Sequence, residues 1–492
     1  MSINPPDGNK GLGASASRGA AFTMGGQLAR ILIQLLTVVV LARLLSPEDY
    51  GLVAMVTAVI GVGEVFRDFG LSSAAIQAKT LSHAERSNLF WLNSAIGGLL
   101  GLIVFALATP LAVFYDQPEV EPLTRVLAIA FLINGVGTQY RAALTRSMKL
   151  GKLAVAEIAA QAVGLIVGVS TALAGGGFWA LAAMQISQAL AALALTIVFT
   201  RWFPTRYSRS TPMRAFLGFG GNLVAAQLLT YASRNVDSVV IGSTLGPGPL
   251  GIYNRAFQLL VLPLNQINAP STRVALPTLA KLQDEPERYG RFVLAGQTVM
   301  LHLVTAIFAL AAAQAQPLVT VFLGTQWTAS VPVFQVLAVA GAFQTASYAT
   351  YWVFLSKGLT RSQLKYAIAT RPAMILLILV GSNWGVMGVA AAYSLGALLS
   401  WPVGLLWIRK SGAPALQMFT NGLRATIVYG LSGAASYIAT ALIGFDNVWF
   451  NLVIGGLVFA LTAALFALCV KPYRRDLITI FATVKLLRRR KR

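Results

Sequence analysis

The sequence has few of the residues from which soluble enzymes build their active sites. Its 492 residues include one cysteine, two histidines and only 16 acidic residues. A disulfide needs two cysteines, and metal sites need clustered Cys, His, Asp or Glu, so the composition predicts neither an internal disulfide nor metal catalysis. The chain also lacks a P-loop, the pattern of Gly, four residues, Gly-Lys and then Ser or Thr. We therefore expect no ATP hydrolysis and no cofactor.

Apolar residues take up most of the chain. They make up 56% of it, charged residues only 11%, and the mean hydropathy is +0.69. Apolar stretches of about 20 residues recur along the whole length, and each can cross a hydrocarbon core about 30 Å thick as a helix. None shows the alternation of barrel strands, so we predict an all-α polytopic membrane protein with about 14 transmembrane helices. The predicted spans are 20–44, 50–77, 88–114, 122–143, 153–175, 177–200, 214–244, 250–275, 292–323, 331–356, 364–383, 385–408, 418–442 and 448–470.

The formal net charge of +22 would suit a nucleic-acid-binding protein, but the positions of the basic residues indicate membrane topology instead. The two chain ends and every second loop together hold 32 of the 38 Lys and Arg residues. The alternate loops carry acidic residues such as Glu48, Asp49, Asp116 and Asp446. Because basic loops stay in the cytoplasm, we predict a multi-pass protein of the cell (inner) membrane, with both termini cytoplasmic and no nucleic-acid partner.

Both ends of the chain differ in composition from the apolar middle. Residues 1–19 are rich in Gly, Ser, Asn and Pro, which predicts a disordered cytoplasmic tail. Residues 471–492 combine spaced apolar residues with basic ones, which predicts a basic amphipathic tail on the inner leaflet.

The apolar middle contains a weak internal repeat. Residues 25–53 can be laid over 225–253 without a gap, and this pairs Gln27 with Gln227, Pro47 with Pro247 and Gly51 with Gly251. Six predicted spans separate the two segments, so both begin on the same side of the membrane, as in parallel repeats that form two lobes. We predict six-helix lobes at 20–210 and 211–410, and two additional transmembrane helices in 411–470.

Several predicted spans carry charged or amide side chains far from their ends. A charge near the bilayer centre costs roughly 2.5–3.5 kcal/mol on insertion scales, so such side chains normally face protein or water. Steps of three and four residues place Gln27, Arg30 and Gln34 on one side of the first helix. We predict a cationic cavity that binds a pyrophosphate through charge-assisted hydrogen bonds. Its predicted residues are Arg30, Arg67, Arg234, Arg255, Gln27 and Gln34.

Acidic side chains near these arginines leave other roles open. Glu64 and Asp68 flank Arg67, so these three residues could pair with each other, or with Arg141, as a gate. Asp237 lies one turn after Arg234 and could neutralise it or bind a coupling proton or sodium ion. We therefore assign Glu64, Asp68 and Asp237 to coupling or gating. His302 is predicted to be a hydrogen-bonded core residue, and Glu157 a carboxylate at the membrane interface.

Six segments, in their order along the chain, resemble one family of exporters. They resemble the Wzx-type polysaccharide flippases of the multidrug/oligosaccharidyl-lipid/polysaccharide (MOP) exporter superfamily, and in particular the colanic-acid exporter branch. The resemblance extends over nearly the whole chain. The segments are Leu41–Leu52, Asp68–Gln77, Arg234–Ser238, Leu250–Gln258, Val274–Arg288 and Gly324–Trp327.

The resemblance implies two pseudo-twofold-related lobes of six helices, two further helices and alternating access without ATP. It also implies a substrate, a polyprenyl-pyrophosphate-linked oligosaccharide flipped from the cytoplasmic to the outer face for the assembly of a surface polysaccharide. The partners implied are membrane lipids, a polysaccharide polymerase and export machinery. Cavity cations are thought to hold the pyrophosphate in this family, which fits Arg30 and Arg234.

Three alternatives remain at this stage. A multidrug exporter of the same superfamily would favour an acidic cavity, whereas arginines outnumber acids at depth in this chain. A flippase for a lipid-linked peptidoglycan precursor would share the architecture. A membrane-embedded polyprenyl-sugar transferase or polymerase would need catalytic acids or a large outer loop, and the predicted outer loops are short. We therefore predict that the protein is not an enzyme.

Overall fold

The computed structural model describes residues 9–68, 75–76, 81–209, 211, 213, 231, 235–443 and 447–489. Within these ranges the regular structure is entirely helical, which confirms the predicted all-α class. Contacts divide the chain into two compact units, Met1–Pro247 and Gly248–Arg492. The lobe boundaries drawn from the repeat stay a prediction.

The first unit contains seven named helices. They are α1 (Asn9–Leu44), α2 (Pro47–Asp68), α3 (His83–Ala106), α4 (Ala108–Tyr115), α5 (Val120–Arg146), α6 (Leu150–Leu173) and α7 (Trp179–Thr200), and residues 235–245 are also helical. Helix α1 begins at Asn9, within the segment predicted to be a disordered tail. No proline follows Pro6 before Pro47, so no residue of this stretch prevents the helix from extending.

The second unit begins with a long helix that contains three prolines, Pro263, Pro270 and Pro277. Its helices are α8 (Pro247–Lys281), α9 (Pro286–Ala313), α10 (Ala315–Phe322), α11 (Ser330–Ser356), α12 (Thr360–Gly381), α13 (Gly385–Ile408), α14 (Ala415–Ile443), α15 (Val448–Cys469) and α16 (Lys471–Arg489).

In the described residues, 11 helical segments are long and apolar enough to cross a membrane, and one of them, Thr360–Ser411, contains both α12 and α13. If α12 and α13 are counted as two helices, these segments give twelve helices, which correspond to twelve of the fourteen predicted spans. The predicted eighth span lies in α8, whose polar residues and prolines make it less apolar. The predicted seventh span lies largely outside the described residues. The chain is therefore a multi-pass α-helical membrane protein.

The third and ninth predicted spans have the same design. Each is a long helix followed by a separate helix of eight residues: α3 by α4, and α9 by α10. The start of α3 is fixed by a capping box, in which the Glu85 backbone N–H donates to Ser82 Oγ at 3.2 Å and the Ser82 N–H donates to the Glu85 carboxylate at 2.7 Å. In both units a short eight-residue helix is thus separated from the long helix before it, and this shared division agrees with a repeated fold.

Small residues bring pairs of helices into close contact. A Cβ atom on Gly97 of α3 would lie 2.6 Å from the carbonyl oxygen of Phe131 and 3.0 Å from the Cα of Gly135, both on α5. Gly164 and Gly168 of α6 are equally restricted by α7, where Met184 contacts both positions. Glycine therefore allows helix approaches that a larger side chain would prevent.

We expect Gly97→Val to destabilise the first unit by about 1–3 kcal/mol, because the valine would push α3 away from α5. The measurement is thermal unfolding of the purified protein in detergent. Gly98→Val is the matched control, since a Cβ there would meet only the Leu132 Cδ1 atom, at 3.8 Å. Equal melting temperatures for the two variants would contradict this account of the contact.

A polar cluster attaches the last helix, α16, to the second unit. The Asp476 carboxylate of α16 accepts two hydrogen bonds from Arg424 of α14, at 2.6 and 2.9 Å, and lies 3.4 Å from Nε2 of His302. Nδ1 of His302 pairs with the Tyr429 hydroxyl at 3.0 Å, and Tyr473 donates to the same hydroxyl at 3.3 Å. His302 is thus a hydrogen-bonded core residue, as predicted. Tyr473 and Asp476 form the buried face of α16, whereas Phe481 is exposed.

Candidate functional site

Within the first unit, a polar cavity of about 490 Å³ lies among α1, α2, α5, α6 and α7. All five helices belong to segments long and apolar enough to span the membrane. The polar side chains that line the cavity are Arg30, Thr57, Glu64, Asn134, Arg141, Glu157, Gln161, Gln185 and Gln188. A cavity with this many charged and amide groups at membrane depth is costly unless water or a ligand contacts them.

Arg30 of α1 forms an ion pair with Glu157 of α6. Its Nη1 atom lies 3.2 Å from Oε2 of Glu157, and the two side chains are 48% and 40% exposed. The pair therefore faces open space, and a single hydrogen bond of this length leaves the other donors of the guanidinium available. An anion that offers several oxygens could replace Glu157 at Arg30.

Arg67 of α2 lies at the edge of the cavity and holds two of its lining residues. Its Nε donates to Glu64 at 2.7 Å, and its Nη1 donates to the Asn134 carbonyl at 3.3 Å and to Thr138 Oγ1 at 3.0 Å. Arg141 donates to the same Asn134 carbonyl at 3.2 Å. This network joins α2 to α5. It includes the pairing of Arg67 with Glu64, which was one of the roles that the sequence allowed for these residues.

The remaining predicted site residues lie elsewhere. Gln27 and Gln34 are exposed on α1, three residues before and four after Arg30. Arg255 is in the second unit, buried on α8, where its Nη1 donates to Gln258 at 2.6 Å and its guanidinium lies 5.7 Å from the Trp327 ring centroid. Asp237 is buried and accepts from the Ser238 N–H at 2.8 Å. Arg234 and the side chain of Asp68 lie outside the described residues.

Sequence reasoning missed a large part of the cavity wall. Glu157, predicted to be a carboxylate at the membrane interface, is the ion-pair partner of Arg30. The glutamines of α6 and α7 received no role. One signal was available, because Glu157 and Gln161 are four residues apart and therefore share one side of their helix. Among the described residues, no group of three or more His, Cys, Asp or Glu could hold a metal ion.

Comparison with known proteins gives matches over most of the chain. A family model described as polysaccharide biosynthesis protein matches residues 40–332. The chain is 27% identical to the lipopolysaccharide biosynthesis protein WzxC of Escherichia coli (strain K12), with 74% of each chain covered. It is 30% identical to the teichuronic acid biosynthesis protein TuaB of Bacillus subtilis (strain 168), with 69% of this chain and 71% of TuaB covered.

The fold is also similar to that of a solved membrane protein. The structure of the lipid II flippase MurJ in an inward closed conformation superimposes with a TM-score of 0.69. The match covers 93% of this chain and all of the other, at 14% identity. At this level of identity the likeness concerns the fold.

Proposed function

This chain belongs to the polysaccharide biosynthesis protein family, and we propose that it flips a polyprenyl-pyrophosphate-linked oligosaccharide across the membrane by alternating access. The product would be used for the export or assembly of a cell-surface polysaccharide. The protein acts as a transporter and not as an enzyme, so its residues bind and release the substrate without changing its bonds. Family membership and the polar cavity of the first unit support the proposal.

The observation that carries this proposal is the Arg30–Glu157 pair, which joins two helices long and apolar enough to span the membrane. A diphosphate presents several negative oxygens, and a guanidinium can bind two of them with charge-assisted hydrogen bonds. Because Arg30 is half exposed and holds Glu157 by one bond, the diphosphate can displace the carboxylate. Without substrate, Glu157 compensates the charge of Arg30, which lowers the cost of an empty cavity.

Arg67 and Glu64 then act in gating, since they link α2 to α5 at the cavity edge. Arg234 and Arg255 remain proposed substrate-binding residues, as do Gln27 and Gln34, which lie on the same helix as Arg30. For Asp237 and Asp68 we retain the proposed role in coupling or gating. Asp237 is buried, as expected for a carboxylate whose protonation or ion binding would change its surroundings.

The cellular setting follows from the charge distribution. Basic residues in every second loop and at both chain ends support insertion in the cytoplasmic (inner) membrane with both termini in the cytoplasm. A polysaccharide polymerase and export machinery would then receive the flipped lipid on the outer face. No nucleic acid or ATP takes part.

Transport by the wild-type protein is the direct test. In proteoliposomes without ATP, we expect a labelled polyprenyl-pyrophosphate saccharide to move between leaflets much faster than in protein-free vesicles. A cationic dye in the same vesicles should not be exported. Export of the dye without movement of any saccharide lipid would contradict the proposal and favour a multidrug exporter.

A further inference from the structure

Four carboxamide side chains face the cavity of the first unit: Asn134 of α5, Gln161 of α6, and Gln185 and Gln188 of α7. We call them the amide wall. In the part of the chain that the structure describes, none of the four amide groups has a hydrogen-bond partner. Each amide can donate two hydrogen bonds and accept two, so the wall offers a dense set of unused donors and acceptors.

An amide group without a hydrogen-bond partner is costly in a membrane-spanning helix. No lipid group in the hydrocarbon region can satisfy them, and buried polar atoms in proteins are nearly always hydrogen-bonded. The Oε1 atom of Gln161 is fully buried and still has no partner among the described residues. The other three amides are partly buried and line the same cavity, so a molecule that enters it can reach all four side chains.

The local packing positions the wall beside the ion pair. Gln161 follows Glu157 by one turn of α6, an advance of about 6 Å. Gly164 lies about one further turn along α6, and the Gln188 side chain packs against it. A Cβ atom on Gly164 would lie 3.5 Å from the Gln188 Oε1 atom. Asn134 completes the wall from α5. Its backbone position is fixed because Arg67 and Arg141 both donate hydrogen bonds to its carbonyl oxygen.

The chemistry of the wall differs from that of the arginine beside it. A diphosphate only accepts hydrogen bonds and is best held by cations, whereas a sugar hydroxyl both donates and accepts, as a carboxamide does. An amide wall therefore suits an uncharged, hydroxyl-rich group. The ligand should carry this group next to its diphosphate, since the wall begins one turn from Glu157.

We propose that the amide wall binds the hydroxyl groups of the sugar residue attached to the diphosphate, while Arg30 binds the diphosphate. This inference rests on the proposed function and adds a recognition site for the saccharide to it. The wall makes binding depend on the hydroxyl pattern of that sugar. Specificity for the sugar then resides in the amide wall, and affinity for the lipid diphosphate resides in Arg30.

The test compares two ligands on the purified full-length protein. One probe is a polyprenyl diphosphate with a single neutral hexose attached, and the other is the same lipid without the sugar. Binding is measured by native mass spectrometry for the wild type, Gln161→Leu, Gln185→Leu and Arg30→Gln. Gln316→Leu, which changes an exposed glutamine of the second unit, is the matched control. Thermal unfolding checks that each variant is folded.

We expect the wild type to prefer the sugar-bearing lipid. Each wall variant should bind that lipid about three to ten times more weakly, the effect of one lost hydrogen bond, and should bind the sugar-free lipid as the wild type does. Arg30→Gln should weaken the binding of both lipids, whereas Gln316→Leu should leave the binding of both lipids unchanged.

The possible failures are distinct. Equal wild-type affinity for the two lipids, wall variants that bind the sugar-bearing lipid normally, or equal losses for both lipids would each overturn the sugar site. Wild-type protein that binds neither lipid, or an Arg30→Gln variant that binds both normally, would overturn the diphosphate site and the proposed function.

Discussion

Replacing Arg30 with glutamate should lower saccharide-lipid transport by about 100-fold or more. The variant would place a second carboxylate opposite Glu157, the present ion-pair partner of Arg30, in a cavity that also contains Glu64. A charge-assisted hydrogen bond contributes roughly 1.5–3 kcal/mol, and each 1.4 kcal/mol corresponds to about tenfold in binding. The loss of two bonds to a diphosphate and the new repulsion therefore exceed two orders of magnitude. The measurement is flipping in proteoliposomes, with folding verified by thermal unfolding.

Two further variants separate a role in binding from a role in structure. Glu157→Gln removes the carboxylate that competes for Arg30, so we expect it to bind the sugar-free lipid diphosphate at least as tightly as the wild type. The exchange Arg30→Glu with Glu157→Arg restores a pair and a cavity cation, so it should recover part of the transport lost in Arg30→Glu.

Arg125→Glu is the matched control. Arg125 also pairs with an acid in the first unit, Glu121, but it does not line the cavity. Its effect on transport should be less than about twofold, as for an exposed pair within one helix. If Arg30→Glu transports normally, or if Arg125→Glu is equally impaired, the diphosphate does not bind at Arg30.

The sequence was most informative about features that each helix carries by itself. Apolar length located twelve of the predicted spans, and the eighth falls in the helix α8, whose polar residues and three prolines lower its hydropathy. The division of the third and ninth spans was not predicted, although Pro110 and Pro317 lie three residues after the breaks at Leu107 and Gln314. A proline has no N–H to donate to the carbonyl group four residues earlier, and here those carbonyls belong to Ala106 and Ala313, the last residues of α3 and α9. Local chemistry therefore accounts for both breaks, which hydropathy does not record.

The candidate site shows a limit of another kind, because its residues meet only in the folded chain. Arg30, Arg67 and Glu64 were selected because a charge deep in a span is expensive, a property of the individual residue. The partner of Arg30 is 127 positions away on another helix, and only the folded chain shows that Glu157 is that partner. The glutamines of α6 and α7 are neutral and separated by apolar residues, so no charge or motif distinguished them before their common cavity was known.

Asp476→Ala is expected to have the largest effect on stability, a loss of about 3 kcal/mol from the second unit. Asp476 is 9% exposed, and its removal leaves Arg424 without its two-bond partner and His302 without a nearby acceptor. Breaking one side of a buried ion pair typically costs about 3–5 kcal/mol, and partial exposure of Arg424 favours the lower end. Helix α16 should then detach, since Tyr473 and Asp476 are its buried contacts.

The measurements are thermal unfolding in detergent and trypsin cleavage after Arg474. Glu285→Ala is the control, because Glu285 forms an exposed pair with Arg288 in the same unit and should contribute less than about 1 kcal/mol. Substituting both partners, Arg424→Leu with Asp476→Leu, should be less destabilising than Asp476→Ala, since no unpaired charge remains. If Asp476→Ala unfolds like Glu285→Ala and α16 stays resistant to trypsin, apolar packing around Tyr473 and Leu477 holds the helix, and the ion pair is dispensable.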